Sequence, residues 1–123
     1  MTIEELYAMM GGNYEHAKQI LKMDKLIDRY VRKLKNSGVD EKLAAAVETM
    51  DAEKLFESAH AMKGVCANLG LDSLAEKAEI ITEEFRPGSV RSKSDEEIQT
   101  VIQQTLEQYR TSISCIEKYE QGI

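Results

Sequence analysis

His60 is the residue of this chain best placed to do chemistry. If the surrounding run is helical, its neighbours one turn away are Phe56 and Glu57 before it, and Lys63 and Gly64 after it, with Ala67 two turns on. A free imidazole titrates close to neutrality, so a large neutral fraction is available as a nucleophile at pH 7. Lys63, at i+3, shares its surface and supplies a cation for charge on an incoming or bound phosphoryl group. Gly64, at i+4, removes a side chain that would crowd that group. Glycine in a helix interior costs about 1 kcal/mol relative to alanine, and an exposed Phe56 forgoes burial. Both costs make sense if a partner must approach His60 closely over a flat, partly apolar surface. Glu57 has two readings, a carboxylate that orients the ring or an ordinary solvated one. On these residues alone, a bland surface histidine stands beside the nucleophile.

The element that must present His60 is a helix over residues 52–69. At about 100° per residue, Leu55, Ala59, Met62, Cys66 and Leu69 fall within about 80° of one another and define a buried face. His60 lies roughly 140° from the centre of that face and points outward. Asp51 is the expected cap of this helix, and Leu69-Gly70 its end.

Helix signals recur along the rest of the chain. Thr2-x-x-Glu5 reads as a capping box opening a short helix over 2–10, ended by Gly11-Gly12. Asn13 caps a helix over about 13–35, whose Ile20, Met23, Ile27, Tyr30, Val31 and Leu34 recur at spacings of three and four. Such a helix would be about 34 Å long, enough for the spine of a bundle. Asp40 starts a short alanine-rich helix over about 40–50. Ser73-x-x-Glu76 reads as a capping box for a helix over 73–86 with Leu74, Ala78, Ile81 and Phe85 inward, stopped by Pro87-Gly88. Residues 88–93 form a polar loop. Ser94-x-x-Glu97 caps a helix over 95–119 that turns Ile98, Ile102, Leu106, Tyr109, Ile113 and Ile116 inward.

Four long amphipathic helices with short connections predict an all-α chain: an antiparallel four-helix bundle with one or two further short helices, one domain over 1–123. Lys33 and Lys35 read as a basic helix end, the glutamates at 83–84 and 96–97 as solvated faces, and Tyr109 and Tyr119 as core or rim packing. Cys66 and Cys115 fall at apolar helix positions and read as small core residues, with a disulfide as the lesser alternative.

Composition narrows the function classes. The 123 residues are 42% hydrophobic and 31% charged, as in a globular domain. A net charge of -6 argues against nucleic acid and against an anionic membrane surface. The N-terminal residues have neither the basic nor the apolar region of a signal peptide, and no apolar run spans a bilayer, so the expected location is cytoplasmic. Glu57-x-x-His60 matches half of a di-iron bundle motif, but His16 has Asn13, not a carboxylate, three residues before it. No metal is therefore expected on this chain. A histidine-kinase dimerisation domain would need an ATP-binding domain, and no Gly-rich phosphate loop is present.

The run Ala59-His60-Ala61-Met62-Lys63-Gly64-Val65-Cys66-Ala67-Asn68-Leu69-Gly70 resembles the signature of histidine-containing phosphotransfer (HPt) domains, His-x-(Leu/Met)-Lys-Gly followed by small residues and Leu-Gly. The entering Asp51-Ala52-Glu53 and the later Leu74-Ala75-Glu76 fit the family's pattern. Glu5-Leu6-Tyr7 through Gly11-Gly12-Asn13-Tyr14 is similar to the opening of short stand-alone bacterial members. Departures are Met62, where Leu is commoner, and Val65, where a smaller residue is usual. The resemblance implies a phosphorelay carrier in two-component signal transduction, not an enzyme. His60 would be the phosphorylated residue, Lys63 would neutralise phosphoryl charge, and Gly64 would give access. The implied partners are receiver domains of response regulators, or of a hybrid histidine kinase, meeting a surface that includes Phe56, Glu57 and Ala67. No cofactor is implied beyond Mg²⁺ on the receiver, and a monomer is expected. The competing reading is a non-phosphorylated helical bundle that binds receiver or kinase domains.

Overall fold

Caps decide where this chain turns. In the computed structural model, which describes residues 1–122, the Thr2 hydroxyl accepts from Glu5 N at 3.1 Å while the Glu5 carboxylate accepts from Thr2 N at 2.8 Å. Ser94 and Glu97 repeat the reciprocal arrangement at 3.1 and 3.0 Å. Asn13 Oδ1 accepts from His16 N at 3.0 Å, and Asp51 Oδ1 from Lys54 N at 3.1 Å. Each bond satisfies a backbone donor that the first helical turn would leave orphaned. The resulting elements are α1 (Ile3–Met10), α2 (Tyr14–Leu21), α3 (Asp24–Leu34), α4 (Val39–Thr49), α5 (Ala52–Asn68), α6 (Asp72–Glu84) and α7 (Asp95–Glu120). No strand occurs among the described residues, so the chain is an all-α helical bundle, as expected. Ile123, the last residue of the expected domain, lies outside the described residues.

Helices pack in a ring, α4 against α5, α5 against α6, α6 against α7, and α7 back to α4, with α1 also lying along α7. Leu43, Leu55, Met62, Leu74, Ile81, Ile98 and Ile102 fill its interior, and Ile27, Val31 and Leu34 of α3 join the same core. α7, with 26 residues, is the spine. The tyrosines tie this core to the backbone. Tyr7 Oη donates to Leu69 O at 2.6 Å, and Tyr109 Oη donates to Leu34 O at 3.0 Å. Cys66 and Cys115 are both buried and free, and burial pushes the Cys66 thiol up to about 12.

Four local expectations are corrected. The helix expected over 13–35 is two helices, because the chain breaks at Lys22, whose φ is 73°. Asp24, in the first turn of α3, accepts from Tyr14 Oη at 2.5 Å and from Lys18 Nζ at 3.0 Å, so two donors of α2 converge on the start of the next helix. Periodicity is blind to this corner, since spacings of three and four continue on either side of it. Ile20, Met23 and Tyr30 are accordingly exposed, while Ile27, Val31 and Leu34 are buried. The Ser73–Glu76 capping box does not form. α6 starts at Asp72 behind Leu71, because Ser73 Oγ accepts instead from Gln108 Nε2 at 3.1 Å. α4 begins at Val39, before Asp40, since Gly38 takes a left-handed φ of 75° and lets the turn close earlier. Glu84, expected on a solvated face, is only 5% exposed.

Gly70 joins α5 to α6 in a left-handed conformation, φ 69°. A Cβ there would stand 2.5 Å from Asn13 O and 2.8 Å from Ala17 N, and Asn13 N donates to Gly70 O at 2.8 Å. The α1–α2 junction thus rests directly on the backbone of the α5–α6 turn. At the other end of α6, Glu84 anchors the loop to α7. It accepts from Arg91 Nε at 2.8 Å, Ser92 N at 3.0 Å, Ser92 Oγ at 2.8 Å and Lys93 N at 2.9 Å. Burial works to raise its pKa, but these donors outweigh it and hold the carboxyl at about 2.

Gly70→Ala is expected to lower folding stability by at least about 2 kcal/mol in denaturant titration, combining a left-handed penalty with a backbone clash. The folded-state pKa of Glu84 is depressed. Its contribution is therefore present above the ordinary value of 4.5 and is lost as pH falls from there through about 2. Glu84→Gln is expected to remove about 2 kcal/mol at pH 7 and to flatten the melting-temperature dependence across that window.

Candidate functional site

α5 has two faces of different character. Leu55, Ala59, Met62 and Cys66 are buried together with Ser58, whose hydroxyl returns a 2.7 Å bond to Lys54 O and so needs no water. His60 lies on the opposite, exposed side. Its ring is set by Phe56 one turn earlier: the two rings are stacked, with centroids 5.7 Å apart and planes 6° from parallel. Phe56 is half-buried, and its own ring carries the Arg86 guanidinium 5.4 Å from its centroid. A cation over an aromatic face is attracted to the ring quadrupole. The phenyl ring that orients His60 is therefore held from the turn just beyond α6.

Arg86 is in turn forked onto Glu83, with Nη2 to Oε1 at 2.7 Å and Nε to Oε2 at 3.0 Å. The Arg86 hydrogen bonds are the main reason that the Glu83 carboxyl is held at about 2, with the Arg86 and Lys63 charges adding to the effect. Lys63 itself faces α6, and its Nζ lies 2.6 Å from Glu79 Oε2. Two sets of contacts thus reach α5 from this side: Arg86, paired with Glu83, over Phe56, and Glu79 against Lys63.

Gly64 sits in ordinary helical backbone, exposed, and a Cβ built there would meet nothing within 4 Å. Nothing in the fold calls for glycine at this position. Ala67, half-buried on the next turn, continues the low surface. Glu57 is exposed and lines a groove of about 410 Å³ between α4 and α5 with Lys42, Lys54 and Ala61. Among the described residues no hydrogen bond joins Glu57 to His60; the ring is oriented by stacking instead.

Glu79 and Arg86 escaped the sequence reading, and Glu83 was read only as part of a solvated face. Glu79 and Glu83 share one face of α6 and Arg86 lies in the turn just beyond it, but nothing along the chain says that this side looks onto α5. His16 takes no part in these contacts; its Nδ1 lies 2.7 Å from Asp72 Oδ1. Among the described residues no three His, Cys, Asp or Glu side chains converge to hold a metal ion, and no helix is long and apolar enough to cross a membrane.

Compared with protein families, residues 15–112 match the family model described as the Hpt domain. The match takes in α5, α6 and most of α7 and leaves α1 outside it. A comparison with curated proteins finds no match.

Because no packing depends on its missing side chain, Gly64→Ala is expected to keep or raise folding stability, by up to about 1 kcal/mol, in a thermal or denaturant melt. A clear loss would show that the glycine serves the fold and not access.

Proposed function

The chain belongs to the Hpt domain family, and we propose that His60 is the residue on which it carries a phosphoryl group. The family implies a phosphotransfer role in a phosphorelay and marks a phosphoryl carrier rather than a catalytic enzyme. Hpt domains interact with receiver domains. The donor and acceptor proposed for His60 are accordingly receiver aspartates, one giving the group and another taking it away. The observation that carries this reading is the exposed, stacked imidazole beside a glycine whose side-chain space is empty.

The chemistry follows from that arrangement. A neutral ring nitrogen of His60 attacks the phosphorus of an aspartyl phosphate in line with the scissile bond. The P–N bond forms as the P–O bond to the aspartyl carboxylate breaks, and that carboxylate leaves with the electron pair. The proton on the other ring nitrogen stays where it is. Transfer onward reverses the same step with a second aspartate as nucleophile. Catalysis of this kind is largely positioning and charge neutralisation. The fixed Phe56 ring limits rotation of the imidazole, so less freedom is lost at the moment of attack. Gly64 and Ala67 let the partner surface come within reach. Lys63, on the same surface, is the cation available to the transferred group. The proposal assigns Mg²⁺ to the acidic pocket of the receiver and none to this chain.

The experiment is transfer of label from a phosphorylated receiver domain. Wild type is expected to acquire acid-labile, base-stable label, and His60→Gln none. Gly64→Ala, folded as above, is expected to slow the transfer by about tenfold or more, since crowding at the reacting group misplaces it. Label on neither protein across several receivers would favour the bundle that binds without being phosphorylated.

A further inference from the structure

We infer that Glu79 is a positioning residue that holds Lys63 away from His60 until a phosphoryl group competes for it, and so sets the lifetime of the phosphohistidine. The inference rests on the assignment of His60 and adds a control on it from the neighbouring helix.

Lys63 stands one turn from His60, yet its ammonium is spent on α6, 2.6 Å from Glu79 Oε2. The contact is one of charge more than alignment. Glu79 Oε2 is shielded from water and has no partner in hydrogen-bonding geometry, although the ammonium is so near. An oxygen in that position depends on Lys63, because leaving a shielded carboxylate uncompensated is costly. No other cation is free to replace it at this end of the face: Arg86 is forked onto Glu83 and laid over Phe56. Both members of the pair remain partly open, at 38% and 35% side-chain exposure, so the tether is breakable and not locked.

The competition has a clear sign. A single carboxylate carries one negative charge, whereas a phosphoryl group near pH 7 carries closer to two. Lys63 therefore stays with Glu79 while His60 is bare and is drawn to His60 only when the group is there. Part of the stabilisation Lys63 gives to the phosphorylated state is consumed in breaking the pair. The phosphohistidine is correspondingly easier to hydrolyse and easier to pass on. A neutral residue at position 79 would leave Lys63 free beforehand.

The test loads the purified full chain with phosphoramidate, a small-molecule phosphodonor that needs no receiver. The phosphohistidine signal that His60→Gln abolishes is then followed by ³¹P NMR as it decays. Glu79→Gln is expected to slow the decay by about two- to five-fold and to raise the plateau of loading, the range typical for a partly exposed pair. In a Lys63→Gln background the same change at position 79 is expected to do nothing, since there is no ammonium left to release. Thermal melts of each variant establish that all are folded, and Glu79→Ala provides a second neutral replacement. Equal decay in wild type and both Glu79 variants would overturn the role of Glu79 while leaving His60 as the carrier. An undiminished effect in the Lys63→Gln background would also overturn it, in favour of direct repulsion between Glu79 and the phosphoryl group. Failure of wild type to form any signal that depends on His60 would instead overturn the assignment of the site.

Discussion

The rotation of α5 about its own axis is the constraint on which the rest depends. Four side chains, Leu55, Ala59, Met62 and Cys66, are fully buried along one stripe and leave the helix no freedom to turn. Displacing them would expose apolar surface at about 25 cal/mol per Å². With that stripe pinned, His60 has only one direction in which to point, and every neighbour on the outer face inherits its place. His60 needs no special backbone; a well-packed helix holds it steady by means of its opposite side. A rigid element also carries a functional side chain more accurately than a loop does.

Two glycines bracket this arrangement and have opposite reasons for being there. Gly70 is demanded from within, since its left-handed backbone lies against Asn13 and Ala17 with no room for a methyl group. It fixes where α5 ends and brings α6 back alongside. Gly64 is demanded by nothing inside the molecule. The fold bears its conformational cost with no packing gained in return. Geometry therefore separates a glycine that the fold requires from one that it does not, although the two are six positions apart on the same stretch of chain.

The return of α6 gives the histidine its electrostatic surroundings. Carboxylates at 79 and 83 each take a cation, Lys63 from α5 and Arg86 from the turn just beyond α6. The second of these also steadies Phe56, and through it the imidazole plane. Charge and stacking thus meet at Arg86. The loop beyond α6 is secured independently by Glu84, whose four donors turn a polar connection into an anchored one. Adjacent glutamates in sequence, 83 exposed and 84 buried, consequently do unrelated work at the end of one helix.

Much of this was legible along the chain, because its causes are local. The helical class follows from spacings of three and four, the ends of α1, α2, α5 and α7 from Thr2, Asn13, Asp51 and Ser94, and the outward direction of His60 from the stripe opposite it. Each depends on residues within a turn or two of one another. What only the tertiary structure decided depends on residues brought together from afar. The break at Lys22 comes from donors of α2 meeting Asp24, and the failed cap at Ser73 from Gln108 claiming its hydroxyl. The burial of Glu84 comes from Arg91, Ser92 and Lys93 folding back on it, and the partners of Lys63 and Phe56 come from α6 and the turn that follows it. Sequence determines which side chains an element turns outward, since helical geometry is a property of the chain itself. Which charges those side chains meet is set by the packing of one helix against the next, where short-range periodicity carries no information.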